Sequence, residues 1–337
     1  MNENSLRFDL TTGDWVVFAP LRSARPKEEA TPVDPPASSA PSSECPFCPG
    51  NEAATLPAIE VETDPGHPER WLVRAFPNKY PVLNPEAPQA SERALPLFRQ
   101  RGGYGMHEVV VCSPDHVASI ATLSEHQVSA LLGVLWRRYR VLSSNPEIEI
   151  VQIFGNYGAP AGASMPHPHL QIIAAPVVPR RVRIKYQAAT EYHHAQGVSL
   201  YRDLRQAELA AKARIIIDTP EFVAFAPFAS RVPYEAWIMP RDPKPSFGLA
   251  DVRSLPGLAR TLRELLKRLQ MALGNPAYNL TFFSAPRRHA DEPDFVWHIE
   301  VLPRLEPDAG FELATGMAIN SVLPEVAAEE LRAVRVD

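Results

Sequence analysis

The sequence predicts a fold that mixes helices and strands in two tandem copies of one unit, and three observations predict it. Two helical stretches, one in each half, are each followed by a strand-like run. Matching strand-like runs flank them on either side. Landmarks also recur at near-equal spacing: Pro114, before the first helix, stands 42 residues before Asn156, and Pro240, before the second, stands 39 residues before Asn279. The first copy continues His169-Leu170-Gln171-Ile172-Ile173, and the second His298-Ile299-Glu300-Val301-Leu302-Pro303. Val296 stands where His167 would be, so only the first copy has a His-x-His pair. One copy is expected to carry the chemistry and the other to shape the site.

Taken in order, the elements have local reasons. From Pro26 to Pro46 proline, serine and alanine dominate and large apolar residues are few, which predicts an irregular loop. Trp71-Leu72-Val73-Arg74-Ala75-Phe76 reads as a strand, and the proline-punctuated stretch Pro81 to Pro96 as a surface connection to His107-Glu108-Val109-Val110-Val111. Thr122 followed by Glu125 has the pattern of a capping box, and Val128, Leu131, Leu132, Leu135, Tyr139 and Leu142 recur after it at helical spacing. Ile148 to Phe154 is the strand that follows. In the second half Leu258, Leu262, Leu265, Leu266, Leu269 and Leu273 form an apolar stripe that Gly274-Asn275-Pro276 ends, and Tyr278 to Phe283 is the next strand.

Size and charge narrow the class. The 337 residues suit about two domains of ~100–200 residues, divided as 1–195 and 196–337, and 45% hydrophobic content supplies ordinary cores. A net charge of −5 with dispersed basic residues argues against a nucleic-acid or membrane-surface binder, so an anionic ligand must be held locally. No apolar span approaches the ~18 residues of a membrane helix and Met1 to Arg7 lacks a signal-peptide core, so a cytoplasmic protein is expected. Three cysteines, Cys45, Cys48 and Cys112, suit a reducing compartment better than a disulfide framework.

The run Met165 to Ala174 carries the strongest chemical signal. In an extended segment His167, His169 and Gln171 share one face, and polar side chains directly before a buried-looking run are costly unless something uses them. A neutral imidazole at His169 is a competent nucleophile toward an activated phosphate, with Gln171 placed to hold a non-bridging oxygen. Just before it, Gly155 to Ser164 is rich in small residues that let backbone amides approach a phosphate, and Asn156 and Ser164 add neutral donors. A tight turn between strands accounts for the same glycines.

Cys45-Pro46-Phe47-Cys48 is a C-x2-C pair that can grip one soft cation, with Pro-Gly after Cys48 supplying a tight knuckle. Two thiolates leave a tetrahedral site half filled, and His116 and His167 are the candidates to complete it for zinc. A pair of reduced or redox-active cysteines is the alternative. Cys112, inside an apolar strand, reads as a buried small residue. His67, His126, His193, His194 and His289 read as ordinary core or surface histidines.

Asn156, Gly162, Ser164 and His167-Pro168-His169-Leu170-Gln171 resemble the active-site signature of the galactose-1-phosphate uridylyltransferases, the transferase branch of the histidine triad superfamily. The resemblance extends through Arg7-Phe8-Asp9 to Gly13-Asp14-Trp15, Arg22-Ser23-Ala24-Arg25-Pro26, Cys45-Pro46-Phe47-Cys48, Phe76-Pro77-Asn78-Lys79-Tyr80-Pro81, Ser113-Pro114-Asp115-His116 and Trp297-His298-Ile299-Glu300. It implies an α+β fold of two histidine triad-like halves, each an antiparallel sheet with packed helices, in a homodimer. It also implies a ping-pong reaction in which His169 takes the nucleotide from a nucleoside diphosphate sugar, releases the sugar 1-phosphate, and passes the nucleotide to a second phosphate. Catalytic residues would be His169, Gln171 and Ser164. Arg22, Arg25, Asn78, Asn156, Gly162, Ser164 and Gln171 would line the nucleotide and phosphate pocket, and Cys45, Cys48, His116 and His167 would bind one structural zinc.

Departures from the family pattern bear on a second metal and on the substrate. Members often have a second metal site drawing on a Cys-x-x-Cys in the second half, where this chain reads Ser199-Leu200-Tyr201-Arg202-Asp203, and Asp242 stands where a histidine is often found. The second metal is therefore expected to be absent. Uridylyl transfer from UDP-glucose to a hexose 1-phosphate, galactose 1-phosphate above all, is the first expectation. Gly310 to Asn320 is more similar to a group that includes ADP-glucose phosphorylases, and Leu170 to diadenosine tetraphosphate phosphorylases, which makes adenylyl transfer to inorganic phosphate the second. A catalytically idle nucleotide-binding protein is the third reading; loss of the second metal favours it and the intact His169, Gln171 and Ser164 oppose it.

Overall fold

The computed structural model describes residues 3–24, 43–88, 93–94 and 97–336. Ten strands form one continuous sheet: β1 Glu60–Asp64, β2 His67–Pro77, β3 Met106–Val111, β4 Ile150–Tyr157, β5 His169–Ala175, β6 Ile215–Asp218, β7 Phe222–Phe225, β8 Ala236–Pro240, β9 Tyr278–Phe283 and β10 His298–Pro303. Their spatial order is β6-β7-β8-β10-β9-β4-β5-β3-β2-β1 and every neighbouring pair is antiparallel. From the centre outward, the first half runs β4-β5-β3-β2-β1 and the second β9-β10-β8-β7-β6. The halves thus share one strand order, and they meet where Asn156 of β4 pairs with Asn279 of β9. The architecture is α+β with a large antiparallel sheet.

Alternation along each strand gives the sheet two different faces. Leu170, Ile172 and Ala174 of β5 point to one face with Val110, Ile153, Leu280, Phe282 and Ile299. Helices α1 (Glu125–Ser143) and α4 (Leu255–Leu273) cover that face with Val128, Leu131, Leu132 and Leu135, and with Leu258, Leu262, Leu265, Leu266 and Leu269. A single core therefore runs beneath both halves. The other face carries His107, Val109, Val111, His169 and Gln171 in the first half and Trp237, Phe283, His298 and Glu300 in the second.

Local detail departs from the sequence reading in three places. The capping box expected at Thr122 does not form: Ser124 caps α1 by accepting the Gln127 N–H at 3.1 Å, while Thr122 Oγ1 closes a turn onto Ser119. The strand expected over 148–154 starts two residues later and ends three later, at Ile150–Tyr157; Ile148 N–H donates to Asn145 in the preceding turn. Helices α2 (Arg180–Gln196) and α3 (Leu200–Ala211) were not anticipated. The charged Lys185, Arg205 and Glu208 stand among their buried residues, which breaks the apolar stripe that marks α1 and α4 in the sequence.

Those two helices decide the fate of the second-half face. Val182, Tyr186 and Ala189 of α2 and Tyr201 of α3 join Trp237, Phe283, Phe295 and Val296 in a second core cluster. The first-half face is covered instead by the short segment carrying Cys45, Phe47 and Cys48, which packs on Phe76, Val109 and Val111. Strands Ser5–Asp9 and Asp14–Phe18 form a hairpin joined in parallel by Ile319–Asn320, and Arg7 pairs with Glu325 at 3.0 Å, so the N-terminal segment lies against the end of the chain. Among the described residues no helix is long and apolar enough to cross a membrane.

Candidate active site and cation site

Four of the anticipated side chains converge on one point. One ligand atom from each of Cys45, Cys48, His116 and His167 lies within 4.8 Å of all the others. Cys48 Sγ is 3.2 Å from His116 Nδ1 and 3.6 Å from His167 Nδ1, Cys45 Sγ is 3.6 Å from His167 Nδ1, and the two Nδ1 atoms are 3.3 Å apart. A tetrahedral cation with bonds of about 2.3 Å to sulfur and about 2.0 Å to nitrogen requires S···N edges of roughly 3.6 Å and an N···N edge of roughly 3.3 Å. The donor set fits a zinc-like ion. His167 Nε2–H donates to the Ser113 carbonyl at 2.8 Å, which fixes the tautomer that turns Nδ1 inward. Burial pushes His167 down to about 4, so its imidazole is neutral, and it pushes the Cys45 thiol up, so a bound cation would have to hold that sulfur as thiolate. Cys112 is buried apart from the cluster, in contact with the α1 core.

The anticipated nucleophile, His169, stands two residues beyond His167 of this cluster. His169 opens β5 and is half buried, with Nδ1–H donating at 2.9 Å to the carbonyl of His167, so the lone pair is on Nε2. Phe47 packs edge-on against it at 5.2 Å between ring centroids. Burial lowers the His169 pKa, which keeps the ring neutral and nucleophilic near pH 7. Gln171 lies on the same face, and its Oε1 is 2.8 Å from His107 Nε2. Asn78, at the end of β2, has Oδ1 occupied by the Tyr80 N–H at 2.9 Å and Nδ2 beside the same His107 nitrogen at 3.2 Å.

Residues from the neighbouring half complete this edge. Asn279 Nδ2 donates to Asn156 Oδ1 at 2.9 Å and to the Ala161 carbonyl at 2.8 Å, so a second-half side chain fixes both an anticipated donor and the small-residue turn after it. Gly158 and Gly162 have φ of 82° and 85°, the left-handed region that glycine enters at little cost. The N–H groups of Ala161, Gly162 and Ala163 all donate back within this turn, so these amides close the loop instead of pointing outward. The donors left to face a ligand are Asn156 Nδ2 and Ser164, which is exposed. Arg22 is exposed on the 3-10 turn Pro20–Ala24, and Arg25 lies outside the described residues.

The second-half copy keeps the imidazole and changes what surrounds it. His298 Nδ1–H donates to the Val296 carbonyl at 2.9 Å, the counterpart of the His169 bond to His167. Its ring stacks between Trp237 and Phe283, and its Nε2 is 3.4 Å from Lys185 Nζ. Lys185 is fully buried, 2.5 Å from Glu300 Oε1, and Arg181 reaches the other oxygen at 2.9 Å. Burial pushes Glu300 up, but Lys185, Arg181 and His298 outweigh it and hold the carboxyl well below its ordinary range. An ammonium thus occupies the space beside His298 and Glu300. Ser199 instead donates to the Asp294 carbonyl at 2.9 Å, and Asp242 pairs at the surface with Lys244 at 3.5 Å.

Removing one member of such a pair leaves the other buried and uncompensated. Lys185→Ala is expected to destabilise the fold by about 3–5 kcal/mol at pH 7, whereas Lys185→Met combined with Glu300→Gln recovers most of that loss. A depressed carboxylate contributes in full above its unfolded value of about 4.3 and loses that contribution only as pH falls toward the folded value, so neutral pH is where the deficit is complete. Urea unfolding of the three proteins checks this; equal midpoints for Lys185→Ala and the wild type would refute it.

Comparison with known proteins agrees with this geometry. The profile described as galactose-1-phosphate uridyl transferase, N-terminal domain, matches residues 1–179, and one described as a domain of unknown function matches residues 105–335. An ADP-glucose phosphorylase of Arabidopsis thaliana is 33% identical over 335 residues, covering 98% of this chain and 92% of that protein. A galactose-1-phosphate uridylyltransferase of Thermotoga maritima is 28% identical over 340 residues, covering 98% and 99%. Among solved structures, the Arabidopsis ADP-glucose phosphorylase with bound ADP-glucose superposes with a TM-score of 0.84 at 30% identity, covering 99% and 100%, and a uridylyltransferase with 0.75 at 25%, covering 98% of each chain. The chain is a nucleotidyltransferase that belongs to the galactose-1-phosphate uridylyltransferase family.

Proposed function

We propose that the protein transfers a nucleotide from a nucleoside diphosphate hexose to a second phosphate through a nucleotidyl-His169. The observation that carries this reading is the Nδ1–H bond from His169 to the His167 carbonyl, which leaves Nε2 unprotonated on the sheet face that His169 shares with Gln171. In the first step Nε2 attacks the α-phosphorus. An Nε2–P bond forms, the bond from phosphorus to the bridging oxygen breaks, and hexose 1-phosphate leaves with the electron pair. The ring becomes cationic, and its Nδ1–H bond to a carbonyl steadies that charge. Gln171, Asn156 and Ser164 offer neutral donors to the phosphoryl oxygens as charge shifts onto them. In the second step an oxygen of the acceptor phosphate attacks the same phosphorus and the Nε2–P electron pair returns to the ring.

The first reading of the donor and acceptor is UDP-glucose and a hexose 1-phosphate such as galactose 1-phosphate, which the family resemblance of residues 1–179 supports. ADP-glucose with inorganic phosphate is the second, favoured by the higher identity and TM-score of the Arabidopsis ADP-glucose phosphorylase. Arg22, Arg25 and Asn78 belong to the nucleotide pocket in both. Zinc at Cys45, Cys48, His116 and His167, no second metal beside Lys185, a cytoplasmic homodimer and a division of the halves near residue 195 complete the proposal. Bound zinc would act structurally, tying His167 and thereby the carbonyl that orients His169. Incubation with UDP-glucose and ADP-glucose labelled in the α-phosphate, followed by denaturation and acid, is expected to show acid-labile label on the protein from UDP-glucose. Label from ADP-glucose alone transfers the assignment to the second reading, and label from neither rejects both.

A further inference from the structure

Gln171 poses a problem that its own chemistry does not solve. A side-chain amide has one end that donates and one that accepts, nearly equal in shape, and only the NH2 end attracts a phosphate oxygen. Turned the wrong way, Gln171 would present a carbonyl oxygen to an anion. Something must therefore hold Oε1 away from the open side.

His107 is in position to do so. It lies on β3 two residues before Val109, the residue directly opposite Gln171, and alternation puts all three on one face. Its ring is buried at 7% exposure, and its backbone carbonyl accepts the Asn78 N–H at 2.8 Å, which closes the strand end around it. The Val82 backbone N–H points at Nδ1 from 3.3 Å. A backbone N–H cannot turn over as an amide side chain can, so Nδ1 holds the lone pair and Nε2 carries the proton, which goes to the nearer Gln171 Oε1; the Asn78 NH2, 3.2 Å from the same nitrogen, then has no acceptor there. That proton faces Gln171 Oε1 at 2.8 Å. Burial also lowers the His107 pKa, which keeps the ring neutral and this arrangement of its two nitrogens intact.

We propose that His107 is a positioning residue, which donates from Nε2 to Gln171 Oε1 and so turns the Gln171 NH2 toward the transferred phosphate. The proposal rests on the phosphate role given to Gln171 above. It takes the Val82 N–H, the His107 ring and the Gln171 amide as one chain with a fixed direction, in which the imidazole never touches the substrate.

The test uses the intact protein. His107→Leu removes the donor and keeps bulk, and is expected to slow nucleotidyl labelling of His169 about tenfold with little change in KM for the donor. His107→Gln, which restores an N–H near Nε2, is expected to return the rate to within about threefold of the wild type. Acting through Gln171, His107→Leu should cost nothing further in a Gln171→Ala background. Nitrogen-resolved histidine spectra of the wild type should show His107 with its proton on Nε2. Losses that multiply in the double variant, equal rates for the Leu and Gln variants, or a proton on Nδ1 each overturn the proposal. A wild type that labels from neither donor counts against the reading of the reaction, and the tautomer then decides the direction of the His107 bond by itself.

Discussion

His169→Asn is expected to abolish the nucleotidyl-enzyme and to lower turnover by about 10⁴-fold or more, the scale on which removal of a covalent nucleophile acts. Asparagine keeps an amide N–H near the position of Nδ1 and can still donate to the His167 carbonyl, the bond that in the wild type measures 2.9 Å. What it lacks is Nε2. The variant therefore isolates the proposed nucleophile from its anchor, and among the described residues no other imidazole on this face is placed to substitute. His167 has its Nε2 committed to Ser113 and its Nδ1 turned among the sulfurs, His107 is bonded at both nitrogens, and His298 is buried under α2 beside Lys185. Intact-mass measurement after incubation with the donor sugar, together with the steady-state rate, checks this. A thermal midpoint within a few degrees of the wild type shows that the loss is chemical. Stoichiometric labelling of the variant would remove His169 from its role.

The geometry of the candidate first-half site was legible because its residues are close together in the sequence. His167, His169 and Gln171 alternate over five residues, and any extended segment puts them on one face, as β5 does. The two-copy organisation was legible for a similar reason, since α1 and α4 keep apolar stripes on the side facing the sheet. His107 was not marked as functional. It sits in His107-Glu108-Val109-Val110-Val111 with no polar alternation to single it out, and its meaning comes from Val82 and Gln171, which are 25 and 64 residues away. Its register two places before the partner of Gln171 was the available signal, and using it required knowing that β3 pairs with β5. Asn279 was visible as a repeat landmark, but its bond to Asn156 depends on β4 and β9 joining the halves. Lys185 was hidden more deeply. A lysine in a polar helix reads as a solvated residue, and only the crossing of α2 over the second half takes it to Glu300.

Chelation, or Cys48→Ser, is expected to release about one equivalent of zinc per chain and to lower the thermal midpoint by roughly 6 °C, the shift that a loss of some 4 kcal/mol produces in a chain of this size. The reason lies in what the four donors connect. Cys45 and Cys48 lie on a short segment that packs with Phe47 on Phe76, Val109 and Val111, while His116 follows β3 and His167 precedes β5. A cation among them cross-links three separate stretches of chain. Without it, two thiols and two imidazoles remain crowded within 4.8 Å with no charge to gather them. The loss should reach the chemistry too, because the carbonyl that orients His169 belongs to His167, and Phe47, between the two cysteines, packs on the His169 ring. Nucleotidyl labelling is therefore expected to fall together with metal content even though none of the four donors touches the reacting phosphorus. Two equivalents per chain would contradict the assignment of the second-half space to Lys185. A metal-free protein that kept both its thermal midpoint and its labelling rate would show that the tight donor cluster organises neither the fold nor His169.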